Sequence, residues 1–167
     1  MATLMVFPEL ETEEQLLLCP QDFPENYTKD YCHPDDYKVY EREIEKQHIF
    51  NHRQGKFNRL LLRVCWRTTQ DRYIPMTFVL DTGAPKHFYL SQKAIQTLQG
   101  HGILHTDDDT DLLYVIINRR KCPVETTPPS HDPANIIGVR MLMRFGLCLF
   151  EDEAPYFKLS KLSNVLE

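Results

Sequence analysis

An acidic residue directly follows a short apolar run near the middle of the chain, and this arrangement constrains the fold more than any other feature. The run Phe78-Val79-Leu80 is typical of a buried strand, and Asp81 follows its last residue. Burial of a carboxylate is costly, so an acid in such a place needs a partner or a chemical task. Gly83 allows a tight turn or the close approach of another backbone. We therefore expect Asp81 to be a catalytic acid at the end of a strand.

Composition restricts the classes of protein to which the chain can belong. Its 167 residues, 42% hydrophobic and 26% charged, suit one globular domain with a sizeable core. The net charge of −5 argues against a nucleic-acid partner, and no apolar run approaches the ~20 residues of a membrane helix. The five cysteines are scattered and form no C-x-x-C pair, which fits reduced thiols. We expect a cytoplasmic protein with no membrane or nucleic-acid partner, no metal ion and no cofactor.

Residues 1–55 differ from the rest of the chain and predict a helical N-terminal extension. A short acidic helix is expected at Glu11–Leu18, followed by an irregular link over Asp22–His33. Pro34 suits the first position of a second helix, which Gly55 would end. The apolar face of that helix would consist of Tyr37, Tyr40, Ile44 and His48. We expect this extension to pack on the main domain or on a partner.

Residues 56–167 show the pattern of a second, mainly β domain. Phe57–Arg67 and Tyr73–Leu80 are apolar-rich runs with a polar connection, which predicts a hairpin that leads into Asp81. Short strands in quick succession with only two short helices favour a closed or sandwich-like β architecture. Further strands are predicted at Lys86–Leu90, Ile103–Leu104, Leu112–Ile117, Lys121–Thr126, Leu147–Phe150 and Tyr156–Leu162, and helices at Gln92–Gln99 and Val139–Phe145.

The four residues Asp81-Thr82-Gly83-Ala84, together with Ile136-Ile137-Gly138 downstream, carry a family resemblance. The pattern resembles the retropepsin-like aspartic proteases of retroviruses and retroelements, over roughly Phe57–Leu162. The resemblance implies a closed β-barrel protomer of the acid-protease fold, to which the helical extension is added. One D-T-G per chain implies a homodimer that shares a single active site, with one aspartate from each chain.

The resemblance also implies roles for individual residues. Asp81 would be catalytic, and Thr82 would hydrogen-bond across to the loop of the partner. Gly83 and Ala84 would line the substrate channel through their backbone groups. Ile136, Ile137 and Gly138 would pack beneath the loop that carries the acid. The hairpin between Ile103 and Ile117 would be a flap over the substrate, and the terminal strands would make dimer contacts.

Two departures from the family pattern mark a divergent branch. Retroviral enzymes often pair an acid four residues after the catalytic one with an arginine after the downstream glycine. These positions hold Pro85 and Val139 here, so both halves of that ion pair are replaced together. The expected flap is also unusual, because its tip at 107–111 is acidic and lacks glycine.

The implied activity is hydrolysis of peptide bonds by a water molecule held between two aspartates, with a viral or retroelement-type polyprotein as the substrate. The alternative keeps the fold without the chemistry, as a dimerisation or peptide-binding module whose N-terminal region recruits a partner.

Two other sequence patterns are weaker indications of a site. Ser130-His131-Asp132 has the residue types of a hydrolase triad, but sequence neighbours rarely converge as a triad does. Asp107, Asp109 and Asp111 alternate as in a calcium loop, but lack its glycine and its closing glutamate.

Overall fold

The structure is a computed structural model that describes residue 27 and residues 31–42, 52–54, 59–150 and 156–159. For 52–54, 147–150 and 156–159 it describes the backbone alone. The predicted acidic helix at Glu11–Leu18 lies outside the described residues, as do Ile44 and His48 of the second predicted helix.

Ten described strands and two α-helices make the chain mainly β, as the sequence predicts. The strands are β1 (His52–Gln54), β2 (Arg59–Arg67), β3 (Tyr73–Asp81), β4 (Phe88–Leu90), β5 (Leu104–Thr106), β6 (Leu113–Ile117), β7 (Arg120–Thr126), β8 (Ile136–Gly138), β9 (Leu147–Phe150) and β10 (Tyr156–Leu159). The helices are α1 (Gln92–Gly100) and α2 (Val139–Arg144), and a 3-10 turn spans Pro129–His131. Eight strands form one mixed sheet in the order β1-β2-β3-β8-β4-β7-β6-β5, while β9 and β10 form a separate hairpin.

The predicted hairpin before Asp81 is confirmed as β2 and β3, which pair antiparallel along nearly their whole length. Both strands are largely buried on their two faces, which explains why their sequences are almost continuously apolar. Their aromatic residues anchor the main core: Trp66 lies 6.3 Å from Phe78 and 6.0 Å from Phe88, measured between ring centroids. The core therefore lies directly behind the strand that carries the acid.

Strand β8 lies between β3 and β4, and this arrangement positions the candidate site. β8 runs parallel to β3, with Asp81 opposite Gly138, and antiparallel to β4, with Phe88 opposite Ile137. β3 and β4 are consecutive in the chain, so residues 82–87 must connect them across the end of β8. The connection bonds to β8 there, because the Gly138 N–H donates to the His87 carbonyl at 2.9 Å.

Both helices predicted within residues 56–167 are confirmed, and their ends follow the expected local chemistry. The Ser91 hydroxyl accepts from the Ala94 N–H at 3.2 Å and caps the N-terminus of α1. Gly146, at φ 70°, follows α2 in the left-handed conformation that glycine adopts readily.

The predicted hairpin between Ile103 and Ile117 is also confirmed, as β5 and β6. Its acidic tip is organised by Asp107, whose Oδ1 accepts from the N–H of Asp109 at 3.1 Å. Lys121 Nζ donates to the other carboxylate oxygen of Asp107 at 2.9 Å, which ties the tip to β7. β6 and β7 are joined by Asn118 and Arg119, both at positive φ, as a tight hairpin turn requires.

The helix predicted from Pro34 does not form over residues 34–42. Residues 34–37 form a turn, Tyr37 has a positive φ of 68°, and Tyr40 forms a β-bridge with Tyr73. The Tyr37 N–H donates to the Pro75 carbonyl at 2.9 Å, and Tyr40 exchanges two backbone hydrogen bonds with Tyr73 at 2.8 Å. β8 covers only the last three residues of β3, so the first half of that edge needs backbone partners. The N-terminal segment supplies them, and this demand overrides the helical spacing.

The described parts of residues 1–55 belong to the same sheet and core as residues 56–167. β1 pairs antiparallel with β2, although its residues lie within the predicted extension. Tyr27 and Tyr31, in the stretch predicted as an irregular link, have helical backbone and are buried. Their rings lie 5.5 Å apart in a second core cluster that includes Ala84 and Ile136. The described part of the extension thus packs on the main domain, with Tyr27 and Tyr31 next to the loop that follows Asp81.

Candidate active site

Asp81 is the last residue of β3, and its side chain is held inside the turn that follows. The residue is only 1% exposed. Its Oδ1 accepts from the Gly83 N–H at 2.9 Å, and its carbonyl accepts from the Ala84 N–H at 3.2 Å. A carboxylate that accepts a hydrogen bond from a backbone amide is fixed in direction. The acid is therefore buried and oriented, as the sequence predicts.

The residues after Asp81 divide between solvent and core. Thr82 and Gly83 are exposed, whereas Ala84 is fully buried. The loop thus presents its tip outward while the acid beside the tip remains covered.

Ile136, Ile137 and Gly138 lie directly beneath this loop. Both isoleucines are fully buried in β8. At Gly138 the approach is so close that a Cβ atom would lie 2.7 Å from the Ala84 carbonyl oxygen and nearer still to that of Lys86. The Val139 N–H donates to the Ala84 carbonyl at 2.8 Å. Only glycine fits at position 138, because the loop backbone occupies the space of a side chain.

Two titratable residues at the loop, His87 and Tyr89, are held in their neutral forms. Burial, together with the smaller effects of the charges on Arg144, Arg140 and Lys86, lowers the pKa of His87 to about 4. Burial raises the pKa of Tyr89 to about 12, with smaller effects from Glu125 and Asp81. At neutral pH the imidazole of His87 and the phenol of Tyr89 are therefore uncharged.

One buried polar residue at the site was missed in the sequence. Asn135 precedes β8 and is 2% exposed. Its carbonyl accepts from the Val79 N–H, and its Oδ1 accepts from the Ser91 N–H, both at 2.9 Å. It joins β3, β8 and the start of α1. The available signal was a polar residue directly before the apolar pair Ile136-Ile137, which locally resembles the end of a loop.

The weaker sequence patterns do not assemble into catalytic or metal sites. Ser130 and His131 are in contact, with Oγ and Nδ1 2.8 Å apart, but Asp132 Oδ1 instead accepts from the Gln92 N–H at 3.1 Å. In the part of the chain that the structure describes, no group of three or more His, Cys, Asp or Glu side chains could hold a metal ion.

A groove of about 320 Å³ lies at the other end of the sheet, away from Asp81. It opens between the β2–β3 turn and the β5–β6 hairpin, and none of the predicted site residues lines it. Its lining consists of Arg67, Thr68, Thr69, Gly102, Ile103, His105 and Ile116.

Comparison with protein-family models, with curated proteins and with solved structures found no match for this chain. Within the described residues, no helix has the length and hydropathy that a membrane crossing needs. Fold and site together define a mainly β protein with a buried aspartate in a tight, close-packed turn at the end of a central strand.

Proposed function

We propose that the protein is an aspartic endopeptidase that works as a homodimer, with a retropepsin-like closed barrel in each protomer. The observation that carries the proposal is the state of Asp81. Its carboxylate is buried, oriented by the Gly83 N–H and in register with Gly138, while Thr82 and Gly83 are exposed beside it. The family resemblance of Asp81–Ala84 and Ile136–Gly138 supports a polyprotein of viral or retroelement type as the substrate.

A second copy of the chain completes the proposed site. Each chain carries one D-T-G, and the chemistry needs two carboxylates. Because Thr82 and Gly83 are exposed, two such loops can meet tip to tip, and the Thr82 hydroxyl is then available to the partner's loop. The symmetric contact would bring the two Asp81 side chains together on a two-fold axis.

The proposed reaction uses a water molecule and one shared proton. Two carboxylates at about 3 Å cannot both be charged, so one Asp81 of the dimer is protonated and the other ionised. The ionised carboxylate takes a proton from the water as its oxygen bonds to the peptide carbon. The protonated carboxyl gives its proton to the carbonyl oxygen, forming a gem-diol. As the gem-diol collapses, one of its hydroxyls returns a proton to the second carboxylate and the C–N bond breaks. The amine leaves with the proton held by the first carboxyl, so both aspartates recover their starting states.

Substitution of Asp81 by Asn tests the proposal without disturbing the turn. The Asn Oδ1 can still accept from the Gly83 N–H, so the fold is kept while the acid is lost. We expect the wild type to cleave members of a peptide library between about pH 4 and 7, and Asp81→Asn to lose this activity by at least about 10³-fold. Asp71→Asn is the matched control, because Asp71 is exposed in the β2–β3 turn and its φ of 56° suits Asn equally.

Equal cleavage by wild type and Asp81→Asn would refute the enzymatic proposal and leave the dimerising or peptide-binding module. Sedimentation provides an independent test, because a chain that stays monomeric at high concentration cannot form a two-aspartate site. A pepstatin-like inhibitor should raise the Tm of the wild type and not that of Asp81→Asn.

A further inference from the structure

The N-terminal segment is hydrogen-bonded to the candidate active site through one buried residue, Asn135. The Asn135 side-chain N–H donates to the Tyr37 hydroxyl oxygen at 2.6 Å, and its backbone N–H donates to the Tyr27 hydroxyl oxygen at 3.1 Å. Tyr37 and Tyr27 are separated from Asn135 by 98 and 108 positions in sequence. The phenol oxygens of two distant residues thus converge on a single amide residue.

Asn135 connects the N-terminal segment to the two strands at the acid, β3 and β8. Its carbonyl holds the Val79 N–H, two residues before Asp81 on β3. Gly138 lies three residues after Asn135, at the end of β8. It is opposite Asp81, and its N–H donates to the His87 carbonyl at the far end of the acid loop. Displacement of Asn135 would move β3 and β8 relative to each other at the residue pair that carries the acid.

Tyr37 is placed to fix the orientation of the Asn135 side chain. Its hydroxyl lies 3.4 Å from Ser91 Oγ, and the Ser91 N–H in turn donates to Asn135 Oδ1. Because the Tyr37 hydroxyl accepts from Asn135 Nδ2 and can donate to Ser91 Oγ, the three residues form a ring of hydrogen bonds, which the Ser91 backbone N–H closes. Such a ring allows one orientation of the amide and resists its rotation.

We propose that Tyr37 is a positioning residue for Asp81, so that the N-terminal segment is an integral part of the catalytic apparatus. This inference rests on the proposed function, since it assigns Tyr37 to the same site. The dyad requires two carboxylates held within a fraction of an ångström, and a misplacement of about 1 Å can cost on the order of 10²-fold in rate. Tyr37 acts through Asn135 and β3, without contact with the substrate.

Tyr37→Phe in the full chain tests the proposal, with Tyr40→Phe as the matched control. Tyr37→Phe removes the oxygen that accepts from Asn135 and keeps the ring, whereas the Tyr40 hydroxyl bonds the half-exposed Asp35 in the same segment. We expect Tyr37→Phe to lower kcat on the order of tenfold with KM changed less than about twofold, because geometry at the acid is altered and the substrate contacts are not. Tyr40→Phe should keep both constants within about twofold of the wild type.

Two outcomes would overturn the inference: a kcat for Tyr37→Phe equal to that of Tyr40→Phe, or a lowered Tm of Tyr37→Phe with unchanged kcat. Amide hydrogen exchange separates this test from the proposed function, because it needs no cleavage. If the wild type cleaves no peptide, the proposed function fails. The exchange rates of the Val79 and Gly83 amide protons then decide whether Tyr37 positions Asp81. Several-fold faster exchange of these amides in Tyr37→Phe alone supports the positioning role, and unchanged exchange refutes it.

Discussion

Substitution of Gly138 by Ala should damage this fold far more than a single methyl group normally does. The backbone at Gly138 is ordinary for any residue, with φ −85° and ψ 174°, so conformational strain plays no part. The added Cβ would instead lie 2.7 Å from the Ala84 carbonyl oxygen and closer to that of Lys86, where real contacts below 3.0 Å essentially do not occur. Both obstacles are backbone atoms of the acid loop, which cannot rotate away.

The size of the stability loss follows from the displacement of the acid loop that the added methyl group requires. Displacement of the loop breaks the bond from the Gly138 N–H to His87 at 2.9 Å and the bond from the Val139 N–H to Ala84 at 2.8 Å. Two such buried hydrogen bonds contribute about 1 kcal/mol each, and overpacking adds about 1–3 kcal/mol. We therefore expect Gly138→Ala to lower the free energy of unfolding by about 3–5 kcal/mol, a large part of the total for a domain of this size.

Urea unfolding followed by the fluorescence of Trp66 measures this change directly. Trp66 is the single tryptophan and is 1% exposed, so its emission reports loss of the core. Gly100→Ala is the matched control, because a Cβ there meets no atom within 4 Å. That control should be neutral or stabilising by up to about 1 kcal/mol. A loss below about 1 kcal/mol in Gly138→Ala, with an unchanged m-value, would refute the steric reasoning.

Two further changes test the electrostatics and the turns. The pKa of His87 in the folded chain is about 4, below its ordinary value of 6.5, so the unfolded chain binds the proton more readily. The free energy of unfolding should therefore fall as the pH drops from about 6.5 to 4. His87→Leu should flatten this dependence in urea titrations across that range, and an unchanged slope would show that other groups cause it. Arg119→Gly should stabilise by about 0.5–1 kcal/mol, because Arg119 has φ 63° in a two-residue hairpin turn where glycine is unstrained. Arg120→Gly, one residue later within β7, should destabilise instead, and equal effects of the two changes would contradict the turn assignment.

Much of the fold was predictable because its elements obey local rules. The apolar runs around Val64 and Phe78 predict two buried strands, and Ser91 and Gly146 mark helix ends by chemistry that acts within a few residues. The acid at the end of a strand, followed by small residues, also predicted a buried carboxylate in a tight turn. The structure has that turn at Asp81 and Gly83.

The N-terminal segment shows where local rules fail. Tyr37 and Tyr40 have helical spacing, yet both bond to the free edge of β3, at Pro75 and Tyr73. In a strand the N–H and C=O of one residue point to the same side. The Pro75 carbonyl points toward Tyr37, so the position where proline lacks an N–H is also on that side. The hydrogen bonds between β3 and β2 are therefore unaffected. β3 needs these additional backbone partners because β8 pairs with only part of it. No residue near Tyr37 in the sequence indicates this requirement.

By itself, the sequence determined the β class, the hairpin before the acid and the identity of the candidate residue Asp81, because periodicity, capping and turn chemistry act between close neighbours in the chain. Only the tertiary structure decided that Gly138 admits no side chain and that Tyr27 and Tyr37 converge on Asn135. These facts depend on backbones and side chains brought together from distant parts of the chain, at distances that packing alone sets.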